Sequence, residues 1–207
     1  MKSIDVSNGF LAEIITKSKY AKKIVFKKNR MIDLNIKGES SILLLENGSA
    51  SVYYEPQDVL IFTVKAPCII GLTQIFSGYV SNDLIVKFET DSITRVIKNS
   101  DAIKVFTESD CWYHVSVLLE DIANIYYQRY SLSSSPDVFG IIKSHIEYIW
   151  SLPESERENI SIIDYILKRN KVSRSSIYRI IKDLNNGGYI KTERGKLKHF
   201  NFIPDFY

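Results

Sequence analysis

The chain has 207 residues, of which 45% are hydrophobic and 25% charged, and a formal net charge of only +3. This mix excludes a disordered, collagen-like or membrane-embedded polypeptide, and so small a net charge points to no partner until its distribution is known. Two cysteines exclude a disulfide framework and a four-thiolate cluster. No continuous apolar segment follows the N-terminal lysine, and no apolar run is long enough to span a bilayer, so the expectation is a soluble, cytoplasmic chain without a membrane partner.

Residues 6–20 read as one short helix. From about residue 22 to 107 the texture is that of short β-prone pieces. ILLLE and SASVYY flank Asn47-Gly48, a pair suited to the positive φ angles of a two-residue hairpin turn. Val59–Val64, Leu84–Thr90 and Ile93–Lys98 continue the pattern, which predicts a β-sandwich or β-roll. Near Asp110 the period changes. Val115, Leu118, Leu119, Ile122, Ile125, Tyr126 and Arg129 recur at intervals of three and four, which predicts a long helix to Ser131, started by Ser109 or Asp110. SLSSSP, 131–136, breaks that helix and reads as a hinge. DVFGIIKSHIEYIW is a second helical run, ending at Leu152-Pro153. The expected divisions are 1–108, 109–135 and 136–207.

The C-terminal segment carries the clearest chemistry. Ile162, Ile163, Ile166 and Leu167 share one helix face, and Asn170 suits a left-handed residue in the turn that follows. Ser173 is an N-cap for the next helix. There Ile177, Ile180, Ile181 and Leu184 face inward, while Arg174, Ser175, Tyr178, Arg179 and Lys182 share the outward face. Arginine donates two hydrogen bonds to guanine O6 and N7, serine and tyrosine bond phosphate or base edges, and lysine neutralises phosphate. The helix N-terminus offers free N–H groups as well. Asn185-Asn186-Gly187-Gly188 stops the helix, and two short strands around Arg194-Gly195 form a wing. Residues 160–203 hold ten basic and three acidic residues, a net +7, and the rest of the chain is net −4. One such helix face alone reads as a solvated surface. Helix, turn, capped basic helix, double glycine and basic hairpin together are the footprint of a double-stranded DNA-binding unit.

In this order of elements the chain resembles the CRP/FNR superfamily of bacterial transcription regulators, an α+β fold with a cyclic-nucleotide-binding-like β-roll, a long dimerisation helix and a winged helix-turn-helix. VSRSSIYRIIKDLNNGGYI and the following RGKL resemble that family's recognition helix and wing. VLIFTVKAPCIIGL and GKLKHFNFIPDFY are similar to the IprA-like subgroup of enterobacterial regulators. The resemblance implies a homodimer on a two-fold operator and leaves RNA polymerase open as a further partner. It implies that Arg174, Ser175 and Arg179 reach base edges, with Ser173, Ser176 and Lys182 nearer phosphate and the wing residues Arg194 and Lys196 against the backbone. Ser175 stands where the cyclic-AMP-responsive members usually have glutamate, so their operator sequence does not transfer. Cyclic-nucleotide-binding members also carry a Gly-Glu pair and, about ten residues on, an arginine for the phosphate. Here Leu72 follows Gly71 and no arginine lies between Gly71 and Lys87. No cyclic AMP or cyclic GMP is expected, because a buried phosphate needs such partners, and no cofactor is called for.

Several residues keep two readings. Cys111, near a helix start, is a redox sensor or a thiol packed beside Trp112. Cys68 reads as core. His114, His145 and His199 share no metal-ligand spacing. The 115–129 stripe is a dimer seam or packs on its own β-roll, and Tyr126, Tyr127 and Tyr130 line a pocket or simply pack. The competing function is a protein-interaction module built on the same winged helix. No glycine-rich phosphate loop, nucleophile elbow or HExxH motif is present, and Glu154, Glu156 and Glu158 read as a solvated loop, so an enzyme is not expected.

Overall fold

The computed structural model describes residues 3–36, 39–55, 58–76, 84–135 and 137–204. Among the described residues nine strands build the N-terminal part: β1 (Lys22–Phe26), β2 (Met31–Asp33), β3 (Asn35–Ile36), β4 (Glu39–Asn47), β5 (Ser49–Tyr54), β6 (Val59–Lys65), β7 (Cys68–Ile70), β8 (Leu84–Phe88) and β9 (Ser92–Lys98). They form two antiparallel sheets. One runs β1-β9-β4-β3, with β7 also on β4, and the other runs β2-β8-β5-β6. This is the expected roll. The apolar run at its centre has a physical reason: alternate residues of a strand point to opposite faces. Leu43 and Leu45 pack with Val52, Val86 and Phe88, whereas Ile42 and Leu44 pack with Leu11, Ile15 and Phe106. A strand covered on both faces shows no polar alternation.

Asn47-Gly48 does not make a hairpin. β4 and β5 belong to different sheets, so this link carries the chain across the core. Only Gly48 of the pair has positive φ (101°). A Cβ there would lie 2.3 Å from Ser92 Oγ, so the glycine serves a close approach as well as a backbone angle.

Helix α1 spans Ser3–Lys17, three residues ahead of the expected span, with Leu11 and Ile15 fully buried. A helix the β-prone texture concealed, α2 (Asn99–Glu108), follows β9 and buries Ala102, Val105 and Phe106. The long helix is α3 (Trp112–Ser133). Neither expected cap starts it: Ser109 is the C-cap of α2 and Asp110 turns the chain at φ 47°. The carbonyl of Cys111 accepts its first bonds, from the His114 and Val115 amides. Ser131–Ser133 are still helical, so the expected hinge begins only after them. Its last residue, Pro136, lies outside the described residues.

The chain divides into two compact units, Met1–Tyr126 and Tyr127–Tyr207. In the second, α4 (Val138–Ser151) starts at Asp137, whose carboxylate accepts from the Gly140 amide at 2.6 Å. A short helix, α5 (Glu154–Arg157), replaces the expected polar loop. Then come α6 (Ile162–Arg169), α7 (Arg174–Asn186), β10 (Ile190–Glu193) and β11 (Lys196–Phe200). Their common core joins Ile142 and Ile146 of α4, Ile166 of α6, Ile177 and Leu184 of α7 and Leu197 of β11. No helix among the described residues is long and apolar enough to cross a membrane.

Candidate nucleic-acid interface

Helix α7 is specified by local chemistry at both ends. Ser173 is extended (φ −68°, ψ 141°) and its Oγ accepts from the Ser176 amide at 3.1 Å, which satisfies one of the free N–H groups of the first turn. The same hydroxyl meets Ser176 Oγ at 2.7 Å and Ser175 Oγ at 3.0 Å, so three of the predicted contact serines form one cluster at the helix start. At the other end Gly188 takes φ 72°. The Tyr189 amide then donates to the Leu184 carbonyl at 3.0 Å and the Gly188 amide to the Asn185 carbonyl at 3.1 Å. Those two bonds are a Schellman closure, and glycine is the residue that adopts its left-handed position without strain.

Between these ends the two faces separate as expected. Ile177, Ile180, Ile181 and Leu184 are buried, and Arg174, Ser175, Tyr178, Arg179 and Lys182 are all exposed. Tyr178 is 62% accessible, so its ring and hydroxyl are free to meet a partner. Arg174 Nη2 donates to Asp164 Oδ1 of α6 at 3.3 Å. Both groups are solvated, so the pair holds the guanidinium loosely. Arg179, Lys182 and Arg194 have no ion pair among the described residues.

The wing stands beside this helix. Glu193 and Lys196 are paired residues, so the loop between them is two residues long. Arg194 (φ 50°) and Gly195 (φ 78°) both have positive φ, the backbone that matches strand twist. The Gly195 carbonyl accepts from the Ile162 amide at 3.0 Å, which ties the wing tip to the start of α6. Lys196 is half-buried at the base of the turn.

Asn185 is a site residue that helix-stop reasoning missed. Its Oδ1 accepts from the Thr192 amide at 2.9 Å, and its Nδ2 donates to the Ile181 carbonyl at 2.7 Å and to Thr192 Oγ1 at 3.1 Å. One side chain thus binds the last turn of α7 to β10. Asn185→Ala leaves the Thr192 amide without its partner and is expected to cost about 1–2 kcal/mol, read as a lower urea midpoint. Asn185→Asp keeps the acceptor for the Thr192 amide but sets a carboxylate oxygen against the Ile181 carbonyl, and is expected to restore only part of the loss.

Four of the seven predicted dimerisation residues pack within the chain itself. Val115 and Leu118 are 1% and 7% accessible and belong to the core beneath the first sheet, with Leu119 and Ile122 packed against it. Leu118, Ile122, Ile125 and Tyr126 also line a cavity of about 250 Å³ against the roll. The stripe from Val115 to Ile122 is therefore a core face, because an apolar face packs on the nearest apolar surface. Arg129 instead donates to the Arg169 carbonyl at 2.8 Å. Tyr113, Tyr127 and Tyr130 are 70%, 72% and 74% accessible. With Ser116, Glu120 and Ala123, also exposed, they alternate by three and four along α3, the spacing of a coiled-coil seam.

Cys111 sits at the start of α3, but its side chain is fully buried and its Sγ donates to the Phe106 carbonyl at 3.4 Å. Burial pushes its thiol up, opposite to what a thiolate sensor requires. Cys68 is pushed up to about 11, by burial first and the nearby Asp121 carboxylate second.

Residues 138–205 match the family model for winged helix-turn-helix DNA binding. The inhibitor of hydrogen peroxide resistance from Escherichia coli (strain K12) is 26% identical over 207 aligned residues, 92% of this chain and 91% of that protein. Among solved structures, the c-di-GMP responsive global regulator CLP of Xanthomonas campestris superimposes with a TM-score of 0.67 at 13% identity, over 94% of this chain and 100% of that one. A protein of the CRP/FNR family from Eubacterium rectale gives 0.60 at 14% identity, over 93% and 90%. The two solved structures are of regulators, and the chain shares their CRP/FNR-like fold, with a C-terminal unit that matches the winged helix-turn-helix DNA-binding model.

Proposed function

We propose that the protein is a sequence-specific DNA-binding transcription regulator acting as a homodimer in the cytoplasm. The observation that carries this reading is the exposed face of α7, where Arg174, Ser175, Tyr178, Arg179 and Lys182 project from a helix capped at both ends beside a basic wing. In this reading α7 enters the major groove, Arg174 and Arg179 pair with guanines, and Ser175 and Tyr178 contact neighbouring edges. Ser173, Ser176, Lys182, Arg194 and Lys196 contact phosphate. Segment 1–108 is the sensor-like part, 109–135 the dimerising helix and hinge, and 136–207 the DNA-binding part. RNA polymerase is the natural further partner of a protein bound at a promoter.

The roll is not a cyclic-nucleotide receptor in this reading. Gly71 keeps its positive φ of 100°, but Leu72, where the ribose-binding glutamate would stand, is 1% accessible in the apolar core. Residues 77–83, which complete that stretch, lie outside the described residues. The charged groups around the 250 Å³ cavity are Asp5, Lys65 and Asp121, and two carboxylates against one ammonium are poor company for a phosphate.

The test uses fragmented genomic DNA from the source organism. Fragments retained by the full-length protein at near-physiological salt are sequenced beside those retained by Arg174→Ala/Arg179→Ala. The expected result is a shared two-fold motif that the double variant no longer selects. Retention without a motif, or equal selection by the variant, overturns base reading and favours the interaction module.

A further inference from the structure

The turn of the helix-turn-helix holds a buried polar network that the DNA-reading face does not use. Asn170 follows α6 with extended backbone (φ −144°, ψ 147°), not the left-handed turn expected of it. Its side chain points inward and the residue is 9% accessible. Each end of the amide has a partner: Nδ2 lies 2.5 Å from His145 Nε2 on α4, and Oδ1 accepts from Ser133 Oγ at 3.0 Å. Ser133 is the last residue of α3. One turn earlier on α3, the Arg129 guanidinium donates to the Arg169 carbonyl at 2.8 Å. That carbonyl belongs to the last turn of α6, where backbone acceptors lack helical partners and a cation meets the negative end of the helix dipole. Arg169 itself lies over the Tyr165 ring at 3.6 Å, which keeps its side chain along α6 and leaves the carbonyl open to Arg129.

These contacts share a direction. Arg129 and Ser133 lie one turn apart on α3, and both reach the end of α6. Three residues beyond Asn170, Ser173 caps α7. The segment 170–172 is therefore held at its start by side chains from α3 and α4 and at its end by the cap of the reading helix. His145 is 1% accessible and its Nδ1 has no hydrogen-bond partner among the described residues. An imidazole that accepts at Nε2 carries its proton on Nδ1, so the neutral ring supplies the acceptor that Asn170 Nδ2 needs.

We propose that Asn170, with Arg129 and Ser133, is a positioning site that bolts the last turns of α3 to the helix-turn-helix, so that residues 129–133 and the reading helix move as one piece. The bend available to the chain then lies N-terminal to Arg129 or beyond Ser133 in a segment that does not carry the load, and a signal arriving along α3 reaches Ser173 through Asn170. The functional consequence rests on the DNA-binding reading of α7. The mechanical claim does not.

The experiment measures backbone amide hydrogen exchange in the full-length protein and in Arg129→Ala, Arg129→Lys, Ser133→Ala and Asn170→Asp. If the bolt exists, Arg129→Ala speeds exchange about tenfold or more in 127–135 and 170–174 together, while the wing strands and the roll keep their rates, and Arg129→Lys, which can still donate, restores part of the protection. Asn170→Asp replaces the donor to His145 with an acceptor, so the ring takes up a proton at higher pH than in the parent, followed by its NMR titration. A titration above the ordinary 6.5 reports the direct contact, because loosening alone only relieves burial and returns the ring towards that value. Unchanged exchange in 127–135 of Arg129→Ala overturns the proposal. So does faster exchange confined to 170–174, or an unmoved His145 titration in Asn170→Asp. Operator affinity, about tenfold weaker in Arg129→Ala if the reading of α7 holds, is a separate arm: its failure beside a positive exchange result strikes the DNA reading and leaves the bolt standing.

Discussion

Tyr127→Glu/Tyr130→Glu is expected to separate the proposed dimer and weaken binding to a two-fold operator by about a thousandfold, while binding to an isolated half-site changes little. Both rings are more than 70% accessible in the single chain. Burying them on association removes apolar surface from water, at roughly 25 cal/mol per Å². Two glutamates at those places would have to be buried beside their symmetry mates, and unpaired charges resist desolvation. The loss on the full operator comes from the missing link between two reading helices, since a second half-site is filled at high effective concentration only while the units are joined. Sedimentation and fluorescence anisotropy on full and half operators separate the two effects. A variant that still sediments as a dimer moves the interface off this face of α3. Val115→Glu is a poor choice for the same experiment, because that side chain is 1% accessible in the core and the change would unfold the first unit.

Acidification is expected to destabilise the second unit through His145. Its imidazole is pushed down to about 4, first by burial, then by the Arg169 guanidinium and, more weakly, by Arg129. Tyr165 also faces the ring, edge-on at 5.7 Å, and stays neutral throughout because burial pushes its hydroxyl up to about 12. In the unfolded chain a histidine titrates near its ordinary 6.5. Between those two values the unfolded state binds the proton and the native state does not, so stability falls as pH falls. The contribution is fully present above about pH 6.5 and is lost by about pH 4. At 1.36 kcal/mol per pH unit it amounts to about 3 kcal/mol. Urea unfolding at several pH values, with Trp150 as the reporter in a Trp112→Phe background, gives the slope. His145→Gln should flatten it. If the variant keeps the parent slope over this range, another group is responsible.

Much of the candidate interface was legible because its determinants are local. The Ser173 cap, the inward spacing of Ile177, Ile180, Ile181 and Leu184, the left-handed glycine at 188 and the two-residue Arg194-Gly195 turn each depend on neighbours within a few residues. Backbone sterics and helix period act at that range whatever the rest of the chain does. The same reasoning reached the roll, because runs of β-prone residues separated by turn signals are also local patterns. The order of strands was beyond it.

By itself, then, the sequence determined the kinds of element, the capped basic helix and the outward set Arg174, Ser175, Tyr178, Arg179 and Lys182. Only the tertiary structure decided what each element faces. Asn47-Gly48 links two sheets because β4 finds β9 and β7 as partners instead of β5. The 115–122 stripe serves the core of its own unit, since a three-and-four spacing marks a buried face without naming its cover. Asn185 meets Thr192, and Asn170 meets His145 and Ser133, through polar side chains whose partners lie 7, 25 and 37 residues away. A buried hydrogen bond is specified by where two atoms meet in space, and no periodicity along the chain encodes that meeting.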